Sequence, residues 1–222
     1  MKQYKWVLLA VMLIVGLLCG CSSQKETPAE NFVYELADGK VTITGFTGTD
    51  QEIYIPAKIE NRPVTKIGES AFENYDMTLV VFPDTLEEIG RYAFADCNCL
   101  KSVTLPDTLR RVEEGAFYEC KSLSEVRINE KLAYLGLRAF GECVALKEVV
   151  LPKNFDGFAR EYKVKYASIP GVGMYAEHEG EAILDPVGSE STVLVVIEGS
   201  KAHLALEAGD WFYDIHYEVR NK

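Results

Sequence analysis

Cys97, Cys120 and Cys143 follow one another at a constant step of 23 residues. Thiols recurring in this way could hold a metal, pair as disulfides, or fill space as small buried hydrophobes. Zinc is disfavoured, because no histidine lies near them and the paired spacings of zinc sites are absent. Stacked about 5 Å apart they would fall within the Cα range of a disulfide. Side chains pointing inward in parallel are badly aimed for that bond, so a buried thiol column is the preferred reading. Cys99 is off phase, where later units have Ser122 and Ala145, and is expected at an exposed turn. Two carboxylates, Glu125 and Glu148, recur at the same step with Arg127 between them. They could act as an acid and base pair, but solvated charge on an outward face is the ordinary meaning of such residues. The letters "GVGMYA" from Gly171 to Ala176 match a dinucleotide fingerprint, yet they follow Pro170 and lack the strand–helix–strand setting. His178, His203 and His216 are scattered, with no serine elbow, paired-histidine motif or phosphate loop around them. No catalytic residue, metal ligand or cofactor site is assigned.

What positions these residues is a repeat. Phe94, Phe117 and Phe140 keep the 23-residue step, as do Leu100, Leu123 and Leu146, then Val103, Val126 and Val149, then Leu105, Ile128 and Leu151. Leu86, Leu109 and Leu132 continue the set, and the triplets "SAF", "YAF", "GAF" and "RAF" mark each unit. An earlier copy, "IGESAFENYDMTLVVFP", is one residue shorter between Phe72 and Pro83. A period of this length predicts a solenoid, whose units cannot bury their apolar faces alone and gain stability only on stacking. Inward letters repeat because every coil meets a similar neighbour; outward letters are free to differ. Within "CLKSVTLP", Val103 and Leu105 point inward from a short strand, Ser102 and Thr104 point outward, and Pro106 ends it. Stacked strands make a parallel sheet whose outward rows are Glu52/Tyr54, Leu79/Val81, Ser102/Thr104, Glu125/Arg127 and Glu148/Val150.

This unit resembles the leucine-rich repeat of the BspA type, read roughly as L–V–LP–L–IG–AF–C, over residues 32–152. The resemblance implies a mainly β, curved leucine-rich-repeat solenoid with short parallel strands on its concave face. It also implies an exported or surface-attached protein that binds a protein or glycan partner. Asn129 departs from the pattern, standing where other coils have proline. That coil could bend slightly, although asparagine suits a turn.

The chain begins with Lys2 and Lys5, runs through an apolar stretch from Trp6 to Leu18, and reaches "LCGC" ending at Cys21. A charged start, a short apolar core and small residues mark an export signal, and the core is shorter than the roughly twenty residues of a bilayer span. Leu18, Gly20 and Cys21 resemble a bacterial lipobox. That implies cleavage before Cys21 and lipid on its sulfur, with two acyl chains anchoring the protein on the extracytoplasmic side of the cell membrane. An ordinary secretory signal cut nearby is the alternative. Loss of residues 1–20 removes two lysines and no acid, taking the formal charge from −11 to −13. So acidic a chain, without a basic stripe, repels phosphate backbones, and nucleic acid is not an expected partner.

The expected organisation is a signal peptide at 1–20, a polar tether at 21–31, and an N-terminal β cap with the first coil at 32–66. Repeats occupy 67–152, a connector containing a short helix 153–170, and a small antiparallel β cap or subdomain 171–222. The hairpin signal Asp38-Gly39 supports the cap, and five extra residues between Pro56 and Ile67 read as a bulged loop. Phase is lost after Pro152. "TVLVVIEG", "AHLALEAG" and "WFYDIHYEV" read as three strands separated by glycine turns. The expected binding residues are the ten outward positions on the strand ladder, or alternatively the C-terminal β segment, for which the solenoid would be a scaffold.

Overall fold

The computed structural model describes residues 26–153, 155, 160–169, 173–183, 193–197 and 217–220. The signal segment, Cys21, all of "AHLALEAG" and most of "WFYDIHYEV" lie outside the described residues.

The chain enters earlier than a tether through residue 31 would allow. The Thr27 N–H donates to the Tyr54 carbonyl and the Tyr54 N–H donates to Thr27 Oγ1, both at 2.9 Å. Ala29–Asn31 then forms a single 3-10 turn. β1 (Phe32–Ala37) and β2 (Lys40–Phe46) pair antiparallel. Asp38 and Gly39, with φ of 51° and 73°, supply the doubly left-handed turn whose twist suits a two-residue hairpin.

The first coil holds β3 (Glu52–Tyr54), β4 (Lys58–Ile59) and β5 (Arg62–Ile67). Where a bulged loop was expected, β4 and β5 form a second hairpin, turned at Glu60 and Asn61 with φ of 49° and 60°. Each later coil contributes one three-residue and one two-residue strand. These are β6 (Leu79–Val81) and β7 (Glu88–Ile89), β8 (Ser102–Thr104) and β9 (Arg111–Val112), and β10 (Glu125–Arg127) and β11 (Tyr134–Leu135). The last coil begins with β12 (Glu148–Val150).

Two parallel ladders result. In ladder one, β3 pairs with β6 and β8 with β10, while β6 lies beside β8 and β10 beside β12. In ladder two, β5, β7, β9 and β11 pair in turn, and β2 joins β5, so the cap hairpin extends the same sheet. Ladder two buries Ile67, Ile89, Val112 and Leu135 completely.

A third seam runs along the "AF" corner. The Phe94 N–H reaches the Ala116 carbonyl and the Phe117 N–H the Ala139 carbonyl, each at 2.8 Å. Behind this seam the rings of Phe72, Phe94, Phe117 and Phe140 stack with centroids 5.0, 5.2 and 5.4 Å apart and planes within 11° of parallel. Each is essentially excluded from water, a burial contributing about 1.5–3 kcal/mol per ring. Phe32 and Phe46 close the first end, packing at 6.5 and 5.8 Å from Phe72.

The repeat runs slightly further than the sequence reading. Phe155 occupies the column of Leu86, Leu109 and Leu132, is buried, and donates its N–H to the Pro152 carbonyl as Leu109 does to that of Pro106. Beyond it, the stretch read as a connector carries β13 (Arg160–Ile169), which pairs antiparallel with β14 (Gly173–Ile183). β15 (Val193–Ile197) and β16 (Tyr217–Arg220) depart from the antiparallel expectation. β15 adds parallel to β12 and β16 parallel to β15, so the tail lengthens ladder one.

Candidate binding surface

Alternation along each three-residue strand decides what ladder one shows to solvent. The central residues Ile53, Val80, Val103 and Val149 are buried and Val126 is half-buried, so the residues flanking them face outward. All ten expected positions lie on this one surface. Pairing sets Glu52 beside Leu79 and Tyr54 beside Val81, then Ser102 beside Glu125 and Thr104 beside Arg127.

The surface changes character along its length. Its first end holds most of the apolar and aromatic side chains beside the exposed Glu52: Tyr54 is half-buried, Val81 is 41% exposed, and a cavity of about 390 Å³ opens next to them, lined by Ile55, Phe82 and Pro83 together with Glu26 and Asp84. Its middle shows the hydroxyls of Ser102 and Thr104. Its far end is charged. Arg127 pairs with Glu125 at 2.7 Å, and Glu148 accepts from Arg220 at 2.7 Å. Sequence spacing carried no signal for Arg220, which reaches Glu148 only because β16 extends the ladder. These pairs are exposed, worth about 0–1 kcal/mol each, and their charges remain available to a partner.

The cysteine column is placed inside, as preferred. Cys97, Cys120 and Cys143 are buried free thiols, and their Sγ atoms donate to the carbonyls of Phe72, Phe94 and Phe117 at 3.2, 3.1 and 3.1 Å. Each thiol thereby satisfies an inward carbonyl of the preceding coil. Contact with the thiols of Cys143 and Cys97, and burial, push the Cys120 thiol far up. Cys99 is exposed. Among the described residues, no group of three or more His, Cys, Asp or Glu side chains is placed to hold a metal ion, and no helix is long and apolar enough to cross a membrane.

Asn129 explains its own departure from the repeat. It is 6% exposed, its Nδ2 donates to the carbonyls of Pro106 at 2.8 Å and Leu109 at 3.2 Å, and its Oδ1 accepts the Lys131 N–H at 2.7 Å. The side chain stitches its coil to the preceding turn while closing its own.

Comparison with known proteins agrees with this architecture. The model of the BspA-type leucine-rich-repeat region matches residues 52–163 in six copies. A leucine-rich-repeat protein of T. pallidum has 32% identity and a TM-score of 0.58, covering 60% of this chain; the chain spans 65% of that protein's resolved length. The pneumococcal vaccine antigen PcpA has 15% identity and a TM-score of 0.53, over 87% of this chain and 49% of PcpA, a likeness of fold alone. A leucine-rich-repeat protein of Bacteroides capillosus has 32% identity, a TM-score of 0.38, and coverage of 60% of this chain and 88% of that one. Among curated proteins, none matches.

Proposed function

This chain belongs to the BspA-type leucine-rich-repeat family, and from that premise we propose that it is a lipid-anchored extracytoplasmic binding protein. Its partner is a surface protein or glycan, engaged by the outward, concave face of ladder one. The supporting observation is the contrast between the two sides of the ladder: a repeated buried row, and an outward row with eight of its ten positions exposed, whose character runs from Tyr54, Leu79 and Val81 through Ser102 and Thr104 to Arg127 and Glu148. A solenoid of this kind displays variable side chains on a fixed frame. The apolar end at Tyr54, Leu79 and Val81 supplies the anchor expected of a binding hot spot, and the charged end at Arg127 and Glu148 supplies register. Anchoring rests on Cys21, whose lipidation would hold the chain at the membrane through the short segment before Thr27. The family and fold are typically non-enzymatic, and the reading is of binding without turnover.

Partner capture from native surface material by the soluble 22–222 fragment tests this. Alanines at Tyr54, Leu79, Val81, Thr104 and Arg127 together should abolish capture, and unchanged capture would remove the face from consideration. A second reading gives the C-terminal segment the binding role. It is favoured by the β13–β14 hairpin, whose strands are longer than any in the coils and form a sheet of their own among the described residues. Loss of capture on deleting residues 160–183, with the ladder variants still active, would establish it. Mass spectrometry of Cys21, and its substitution by serine, test the anchor.

A further inference from the structure

The corner before each stacked phenylalanine holds a left-handed residue, and one coil leaves that position without a side chain. Ser70, Tyr92 and Arg138 have φ of 52°, 52° and 48°, and Gly115 has 59° at the equivalent place. The gap is flanked by Tyr92 from the coil before and Arg138 from the coil after. Tyr92 leans into it, so that a methyl group on Gly115 would come 2.3 Å from Tyr92 Cε1. Tyr118 leans in the same direction over Gly141, where a methyl group would come 3.0 Å from its Cδ2. Between the two rings lies an open cavity of about 370 Å³, lined by Tyr92, Glu114, Gly115, Tyr118, Leu137 and Arg138.

The chemistry of that lining is selective. Tyr92 and Tyr118 are half-buried, offering ring surface with a polar tip. Glu114 accepts the Tyr92 hydroxyl at 3.1 Å on one oxygen and Arg91 at 2.6 Å on the other. It is therefore fixed in place with lone pairs to spare. The Arg138 guanidinium is exposed and makes no hydrogen bond or ion pair with any described residue, leaving five donors uncommitted. An anion would meet Glu114 and the neighbouring Glu119 and Glu142. A cation would meet Arg91 and Arg138. A neutral ring with an apolar face and a rim of hydroxyls meets neither objection, and the volume sits at the small end of ligand cavities.

We propose that this corner cavity binds one neutral hexopyranose unit, its C–H face against Tyr92 and Tyr118 and its hydroxyls held by Arg138 and Glu114. The cavity lies on the "AF" corner, away from ladder one, and does not depend on what that ladder binds.

The test is a titration of the full-length chain in a sugar-free detergent, following the backbone amides of Gly115 and Gly141 by nuclear magnetic resonance. The probes are the methyl glycosides and free forms of glucose, galactose, mannose and N-acetylglucosamine. At least one should shift both amides saturably with a dissociation constant of roughly 1–10 mM, the range open to a single small ring. Binding of the methyl glycoside marks the unit as part of a longer glycan; binding of the free sugar alone marks a monosaccharide site. Arg138→Ala, which breaks no hydrogen bond or ion pair to a described residue, should weaken binding about tenfold or more, with Arg138→Lys intermediate. No saturable shift with any sugar, or equal shifts in Arg138→Ala, would overturn the proposal. So would acetate or inorganic phosphate shifting the same amides where sugars do not.

Discussion

Replacing Asn129 with proline restores the residue that Pro83, Pro106 and Pro152 hold in other coils, and repeat logic alone would expect a gain. The structure predicts a loss. The substitution removes three hydrogen bonds, at 2.8, 3.2 and 2.7 Å. The Pro106 carbonyl still receives the Leu109 N–H at 2.9 Å, so it is not stranded. The Leu109 carbonyl loses the donor that Asn129 supplies in a buried setting, a penalty of about 1–3 kcal/mol. The other two bonds together are worth about 1 kcal/mol, because the Pro106 carbonyl keeps a donor, giving roughly 3 kcal/mol for Asn129→Ala. Proline recovers about 0.4–1 kcal/mol by restricting the unfolded chain, so Asn129→Pro should cost roughly 2 kcal/mol. Asn129→Asp keeps the acceptor for Lys131 but sets a carboxylate against two carbonyls, and should be at least as harmful as alanine. Urea unfolding followed by circular dichroism measures all three, with an unchanged slope required for comparison. If Asn129→Pro matched or exceeded the parent in stability, the stitching role would be refuted and the coil would be held by its apolar columns alone.

Glu142, with φ of 57°, should give about 0.5–1 kcal/mol of added stability when changed to glycine, because the left-handed conformation costs a side-chain-bearing residue about 1–2 kcal/mol; Gly115→Ala should lose more than 1 kcal/mol through the reverse effect and the collision with Tyr92, both read by the same urea titration. Of the four described cysteines, only Cys99 should react with a thiol reagent in the folded protein; Cys97, Cys120 and Cys143 should be labelled only as urea unfolds it, and prompt labelling of all four would contradict the buried column. Burial, then the hydrogen bond to Glu114, raise the Tyr92 phenol above its usual range. The neutral form is thus favoured by folding, so its contribution is complete below about pH 10 and is lost as pH rises through the folded value. Ultraviolet titration should show Tyr92 ionising later than free tyrosine, and earlier in Glu114→Gln than in the parent.

The columns were legible because burial at 23-residue intervals demands the same side-chain volume each time. Phe94, Phe117 and Phe140, the three thiols and all ten outward positions fall where their phase puts them. What stayed hidden depends on hydrogen bonds with no fixed spacing. The Asn129 stitch looks like a defect until the Pro106 and Leu109 carbonyls are seen beside it. The β4–β5 hairpin was masked because Glu60 and Asn61 are less familiar turn residues than the Asp-Gly pair. β13 was readable from the alternation of Tyr162, Val164 and Tyr166, but the charges between them suggested a helix and connector. The parallel addition of β15 and β16 had no signature at all: both strands lie outside the 23-residue phase, and a sheet edge can accept a strand in either direction.

Thr27 settles where tension would enter the molecule. Any pull transmitted along the segment before Glu26 arrives first at the two 2.9 Å bonds to Tyr54, which together resist with only about 1–3 kcal/mol. They would part before the aromatic stack is strained, releasing the single turn at Ala29–Asn31 as slack. Were the chain tethered at Cys21, these bonds would act as a mechanical fuse, freeing residues 27–31 under load while the packed phenylalanines behind them stay in place.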